Sequence, residues 1–239
     1  MKTNSSHYYT SMMPKMMKNF EKMFRFTKKA IFSKIDSTQI NFIHKNAREE
    51  YQRLIPQLPY IGGDEVSGTM NLIGGVQLLA IIRSLEAFGM NERQIGEIIY
   101  KTLDGFYTSI PKPIGVLMGK VMLSKHSINK RIKAMAETQK REYTEGFVNV
   151  PVPCSDDSFY FGQDVLECAI CKFYKKQGAE KYVPYICLGD YPMFKRMGVM
   201  LYRTKTLGNG DDMCDFRVEK KGETMSAWPP ERLKESRNG

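Results

Sequence analysis

Residues 203–217 read RTKTLGNGDDMCDFR. A strand-like run, a Gly-Asn-Gly turn and a second strand-like run predict a β-hairpin over 199–207 and 213–219, and hence an antiparallel sheet in the C-terminal half. If Asn209-Gly210 is a two-residue turn, Lys205 lies opposite Cys214 and Arg203 opposite Phe216. If the five residues 208–212 set the register, Thr206 faces Cys214 and Lys205 faces Asp215. Either way Cys214 has a polar or cationic cross-strand partner, unusual for a cysteine that only fills a core. Two arginines, two threonines, a cysteine and an adjacent aspartate are more chemistry than a hairpin needs in order to fold.

Upstream, 147–150 and 159–161 are β-prone and flank a Pro/Ser/Asp loop containing Cys154. A short helix is expected at 172–176, ended by Gly178. The first half is helical. Ile40, Ile43, Ala47, Tyr51 and Leu54 recur at helical spacing until Pro56. A third helix runs over 70–88, closed by Gly89, and Asn91 caps a fourth that carries Ile95, Ile98, Ile99, Leu103 and Phe106. After Pro111 and Pro113 a helical stretch runs towards Tyr143, with 125–140 a solvated, charged face. The expected fold is α+β, with N-terminal helices packed on a C-terminal antiparallel sheet. The chain divides into an extension (1–36), one domain with a helical half (37–145) and a sheet half (146–219), and a mobile polar tail (220–239) in which Trp228 packs locally or lies exposed.

The 239 residues are 42% apolar, a globular composition. The longest uncharged run, 66–82, is interrupted by Ser67, Thr69, Asn71 and Gln77 and falls short of the roughly 20 apolar residues of a membrane span. The N-terminus lacks the apolar core of a secretory signal, so a cytoplasmic protein is expected. Five cysteines, an odd number, fit free or ligating thiols rather than disulfides. The net charge is +10, but residues 1–35 carry eight Lys or Arg against Glu21 alone, which leaves +3 for the remainder. Nucleic-acid binding is therefore not expected; no motif for it accompanies the charge. In 15–35, Met16, Phe20, Met23, Phe24, Ile31 and Ile35 alternate with lysines, a basic amphipathic helix that either packs on the domain or makes weak contact with an anionic membrane surface. Nothing in the sequence specifies an oligomer.

Cys168-Ala-Ile-Cys171 and Cys187-Leu-Gly-Asp190 have the spacing of a zinc ribbon with aspartate as fourth ligand. The first pair sits on a strand-like run between bulky residues without a Gly-containing knuckle, which argues against zinc and for no cofactor. The competing reading puts these groups around a small-molecule pocket, where a thiolate beside Lys or Arg becomes a nucleophile. His7, His44 and His126 have no carboxylate near them in the sequence, so Asp190 and Asp215 are the better proton carriers.

Residues 161–171, VPYICLGDY at 183–191 and GVMLYRTKTLGNGDDMCDFR at 198–217 resemble the L-2-amino-thiazoline-4-carboxylic acid hydrolase family, with a looser likeness at 78–107. The match rests on Cys187, Asp190, Arg203, Thr204, Thr206, Leu207, Gly210, Cys214, Asp215, Phe216 and Arg217. The resemblance extends to the 4-vinyl reductase type of small-molecule-binding domain. Some members of that group hold zinc through a Glu and hairpin cysteines; here Arg203 and Thr206 stand at those places, which favours an anion-holding site. What the resemblance implies is a hydrolase acting on a carbon–nitrogen bond, other than a peptide, in a small cyclic amidine, amide or thiazoline-type ring, giving an N-carbamoyl amino acid. Cys187 or Cys214 would attack, Asp190 or Asp215 would move protons, and Arg203, Thr204 and Thr206 would hold the substrate carboxylate. The alternative is a non-catalytic small-molecule or zinc-binding sensor.

Overall fold

The structure is a computed structural model that describes residues 5–32, 35–66, 68–153, 159–220 and 222–231. Its first helix, α1 (Ser5–Ile31), starts well before Lys15. Met16, Phe20, Met23, Phe24 and Ile31 are buried in one cluster with Ile43, Tyr51, Leu72 and Ile98, so the apolar side of the basic segment faces protein. α2 (Ser37–Leu54) opens with a capping box between Asp36 and Gln39. α4 (Glu92–Thr108) opens with the same device between Asn91 and Gln94, as expected for Asn91.

Between them α3 (Gly68–Ala87) runs through the middle. It is the one described helix long and apolar enough to cross a membrane, and 78% of its most apolar window is buried within the protein, so its apolar length serves the core. The stretch after Pro111 is two helices, α5 (Lys112–Met122) and α6 (Lys125–Gln139). They break at Leu123–Ser124 because the Ser124 hydroxyl caps the second.

Four antiparallel strands follow: β1 (Val148–Val152), β2 (Phe161–Glu167), β3 (Met200–Tyr202) and β4 (Cys214–Glu219), in the order β1-β2-β4-β3. The fold is α+β with the helices first. Cys168 and Cys171 are not on a strand. Cys168 leads into α7 (Ala169–Lys176), whose Tyr174 donates a 2.8 Å hydrogen bond to the Gly75 carbonyl of α3. α8 (Val183–Cys187) and α9 (Asp190–Met197) form a corner before β3. Cys154 lies outside the described residues.

The hairpin pairs Tyr202 with Arg217, the register that carries on to Lys205 opposite Cys214. The ladder itself stops at Tyr202. The connection is wider than a two-residue turn, with a 3-10 turn at Leu207–Asn209 and Gly210 left-handed at φ 89°. Residues 222–231, within the stretch expected to be a mobile tail, pack on the fold. Thr224 is fully buried, accepts from Leu201 N and donates to Val199 O. Trp228 stacks on Tyr100 beneath the Arg93 guanidinium, and Arg93 pairs with Glu231.

Candidate active site

Strand alternation decides which groups meet. Val165 and Cys214 are cross-strand partners, as are Gln163 and Phe216, and all four line one face of the sheet. Opposite them stand α3, α4 and α6, and the α8–α9 corner closes the side. Together they enclose a cavity of about 860 Å³.

At its deep end lies a buried ion pair. Arg203 Nη1 contacts Asp190 Oδ2 at 2.6 Å and Nη2 donates to the Cys187 carbonyl at 2.9 Å. The guanidinium lies between the Tyr191 and Phe216 rings, 5.2 and 4.9 Å from their centres. Its Nε is buried without a partner. The Arg203 side chain is 1% exposed, whereas Asp190 keeps 31% of its side-chain surface open and lines the cavity. Burial raises the Asp190 carboxyl above the ordinary carboxylate range, against the pull of Arg203. Burial also opposes the Arg203 charge, but Asp190 outweighs it.

Three thiols surround this pair. Burial pushes Cys187 well above the usual thiol range, with Arg203 only partly opposing it. Burial pushes Cys214 up to about 11, although its Sγ accepts from Leu207 N at 3.2 Å. Cys168 is raised by its hydrogen bond with Cys171 and by burial. The expectation that a neighbouring arginine would lower a thiol here is reversed, because desolvation outweighs the charge. At pH 7 the Cys214 thiol therefore keeps its proton.

Other groups named from the sequence do other work. Asp215 follows Cys214 on the strand and so points to the opposite face. Its carboxylate accepts from Thr204 N (2.9 Å), Thr204 Oγ1 (2.5 Å) and Lys205 N (2.5 Å). Thr206 N donates to Asp211, and Thr206 Oγ1 caps the 3-10 turn by accepting from Asn209 N. Thr204, Thr206 and Asp215 therefore hold the hairpin loop in shape. Thr206 lines only a smaller cavity of about 190 Å³, which Arg203 separates from the larger one. Among the described residues no three His, Cys, Asp or Glu side chains, those of Cys168, Cys171, Cys187 and Asp190 included, stand grouped as they would around a metal ion. His44 does have a carboxylate neighbour, Glu21 at 2.7 Å, but neither lines the cavity.

Residues 91–218, just over half of the chain, match the sequence model of the L-2-amino-thiazoline-4-carboxylic acid hydrolase family. The chain belongs to that family. No curated protein and no solved structure matches it, and the likeness to 4-vinyl reductase type domains rests on the sequence alone.

In this member of the hydrolase family the matched span, from α4 to β4, supplies the sheet face, the Cys187–Asp190 corner and α6. The last contributes a residue that the sequence reading set aside as solvated. Arg131 lines the cavity over the Phe161 ring at 5.3 Å and, among the described residues, has no carboxylate partner. The signal was present. Ile128, Arg131, Met135 and Thr138 share one helical stripe, and every one of them is at least partly buried. An arginine on an apolar stripe was hidden by the lysines around it.

Proposed function

We propose that the protein hydrolyses a small cyclic amidine carrying a carboxylate, of the 2-amino-thiazoline-4-carboxylate type, with Asp190 as the proton carrier. The carrying observation is a half-buried carboxylate, raised in pKa and held by Arg203 at the wall of a cavity, in a chain of this hydrolase family.

The ring carbon lies between nitrogen and sulfur and becomes electrophilic when the ring nitrogen is protonated. Asp190 supplies that proton. Water, rather than a thiol that holds its own proton, adds its oxygen to the carbon, and the Asp190 carboxylate accepts a water proton. An N-carbamoyl product keeps both nitrogens on that carbon, so the ring then opens at carbon–sulfur: the added hydroxyl becomes the carbonyl, its proton goes to the departing sulfur as a thiol, and Asp190 ends protonated as it began. Opening at carbon–nitrogen would give an S-carbamoyl product and no new thiol. Arg203 positions Asp190, with each of its terminal nitrogens already giving one hydrogen bond to the Asp190–Cys187 corner. Arg131, with no carboxylate partner among the described residues, is the better fork for the substrate carboxylate.

The test is turnover of 2-amino-thiazoline-4-carboxylate by the purified chain, with product mass and thiol release followed together. Turnover abolished by Asp190→Asn is expected; no turnover, or an unaffected Asp190→Asn, overturns the assignment. One observation favours a second reading. A cavity of about 860 Å³ exceeds what a thiazoline carboxylate fills, which suits a larger ligand held without chemistry. Ligand-induced thermal stabilisation without product would mark that case.

A further inference from the structure

Helix α5 shows an arrangement that neither cavity accounts for. Ile114, Leu117, Met118 and Val121 fall on one side at i, i+3, i+4 and i+7 and are 51%, 60%, 41% and 56% exposed. The opposite side is fixed. A Cβ on Gly115 would stand 2.4 Å from the Arg196 carbonyl oxygen, and one on Gly119 would stand 2.2 Å from that of Met197. α5 thus sits backbone on backbone against α9, and this seat turns its apolar residues outward.

The stretch of chain that forms α5 and most of α6 carries one sign of charge. From residue 105 to residue 136 there is no Asp or Glu, while Lys112, Lys120, Lys125, Lys130, Arg131 and Lys133 all occur there. The five lysines are exposed. The basic segment at 15–35, by contrast, has its apolar side buried in the core and offers no such face.

We infer that α5 is a docking face for an anionic phospholipid surface. Ile114, Leu117, Met118 and Val121 enter the boundary between headgroups and acyl chains, and the lysines of α5 and α6 meet the lipid phosphates. The eleven residues of α5 lie along the surface; they do not span it. A second copy of the chain is the poorer occupant, because it would bring two basic rims together, whereas an acidic bilayer neutralises them.

The test uses the full chain with vesicles of phosphatidylcholine alone or with about one-third phosphatidylglycerol. Co-sedimentation with the acidic vesicles only, weakened by high salt, is expected. Leu117→Glu with Val121→Glu, and separately Lys120→Glu with Lys125→Glu, each lower the partition coefficient at least about tenfold. Phe32→Glu, at an exposed residue just past the end of α1, leaves it unchanged. Far-UV circular dichroism shows that each variant is folded. Equal binding to neutral vesicles, or binding insensitive to both double variants, overturns the inference. So does a wild-type dimer that Leu117→Glu with Val121→Glu converts to monomer without any vesicle binding, which would assign the face to a second copy.

Discussion

A carboxylate and a guanidinium withdrawn from water attract each other strongly, and deleting one strands the other. Arg203→Met leaves the half-buried Asp190 without its partner, and a loss of about 1–3 kcal/mol in unfolding free energy, read from urea denaturation, is expected. Chemistry separates the roles further. Asp190→Asn should lower kcat by about 10²–10⁴, and Arg131→Ala should raise KM with much less effect on kcat. Cys187→Ser and Cys214→Ser should each keep kcat within about tenfold; a collapse of activity in either would restore the thiol as attacker. Because Asp190 acts as an acid from a raised pKa, activity should fall as pH rises through a value above the ordinary carboxylate range, and that limb should vanish in Asp190→Asn. At this scale Cys187, Asp190, Arg203 and Cys214 were legible as a cluster because their residue types are unusual together. Asp215 was misplaced although alternation alone forbids two successive strand residues from sharing a face. Arg131 was passed over because its neighbours in sequence are solvated lysines, and only its neighbours in space make it a cavity-lining group.

Short elements carry the next level of organisation. The Asp215 carboxylate satisfies two backbone N–H groups and one hydroxyl in the hairpin connection. Asp215→Ala should cost about 1–3 kcal/mol in stability, with KM changed far less than by Arg131→Ala. Gly119→Ala would force a Cβ onto a backbone oxygen, so a destabilisation of about 1–3 kcal/mol is expected, seen as a lower thermal midpoint. The helices of the first half were readable because their 3.6-residue period and the Asn91 cap are local signals. The break after Leu123 was not, since Ser124 in a run of helix formers is silent until its hydroxyl caps. The Cys168–Cys171 segment was misread as strand because β-prone residues lead into it and α7 is held by packing on α3 rather than by its own sequence.

For the molecule as a whole, buried thiols set an alkaline limit. Cys214 has a folded value of about 11 against an ordinary 9.0, so between these pH values the unfolded chain gives up its proton first and stability falls. The contribution is complete below pH 9 and its loss above 11 amounts to about 3 kcal/mol, with Cys168 and Cys187 shifted in the same direction. The urea midpoint should therefore drop between pH 8 and pH 10.5, and less steeply in Cys214→Ser; an unchanged slope would assign the effect to buried phenols such as Tyr51. The overall α+β order was legible because helical and strand periods occupy separate halves of the chain. The packing of 222–231 was not, because it depends on Tyr100 and Arg93, more than a hundred residues away. The glycine seat of α5 has one more effect. It grips the final turn of α9, a rod of about 12 Å whose opposite end begins with Asp190. The outer helix and the Asp190 carboxylate thus sit at opposite ends of one short, stiff segment.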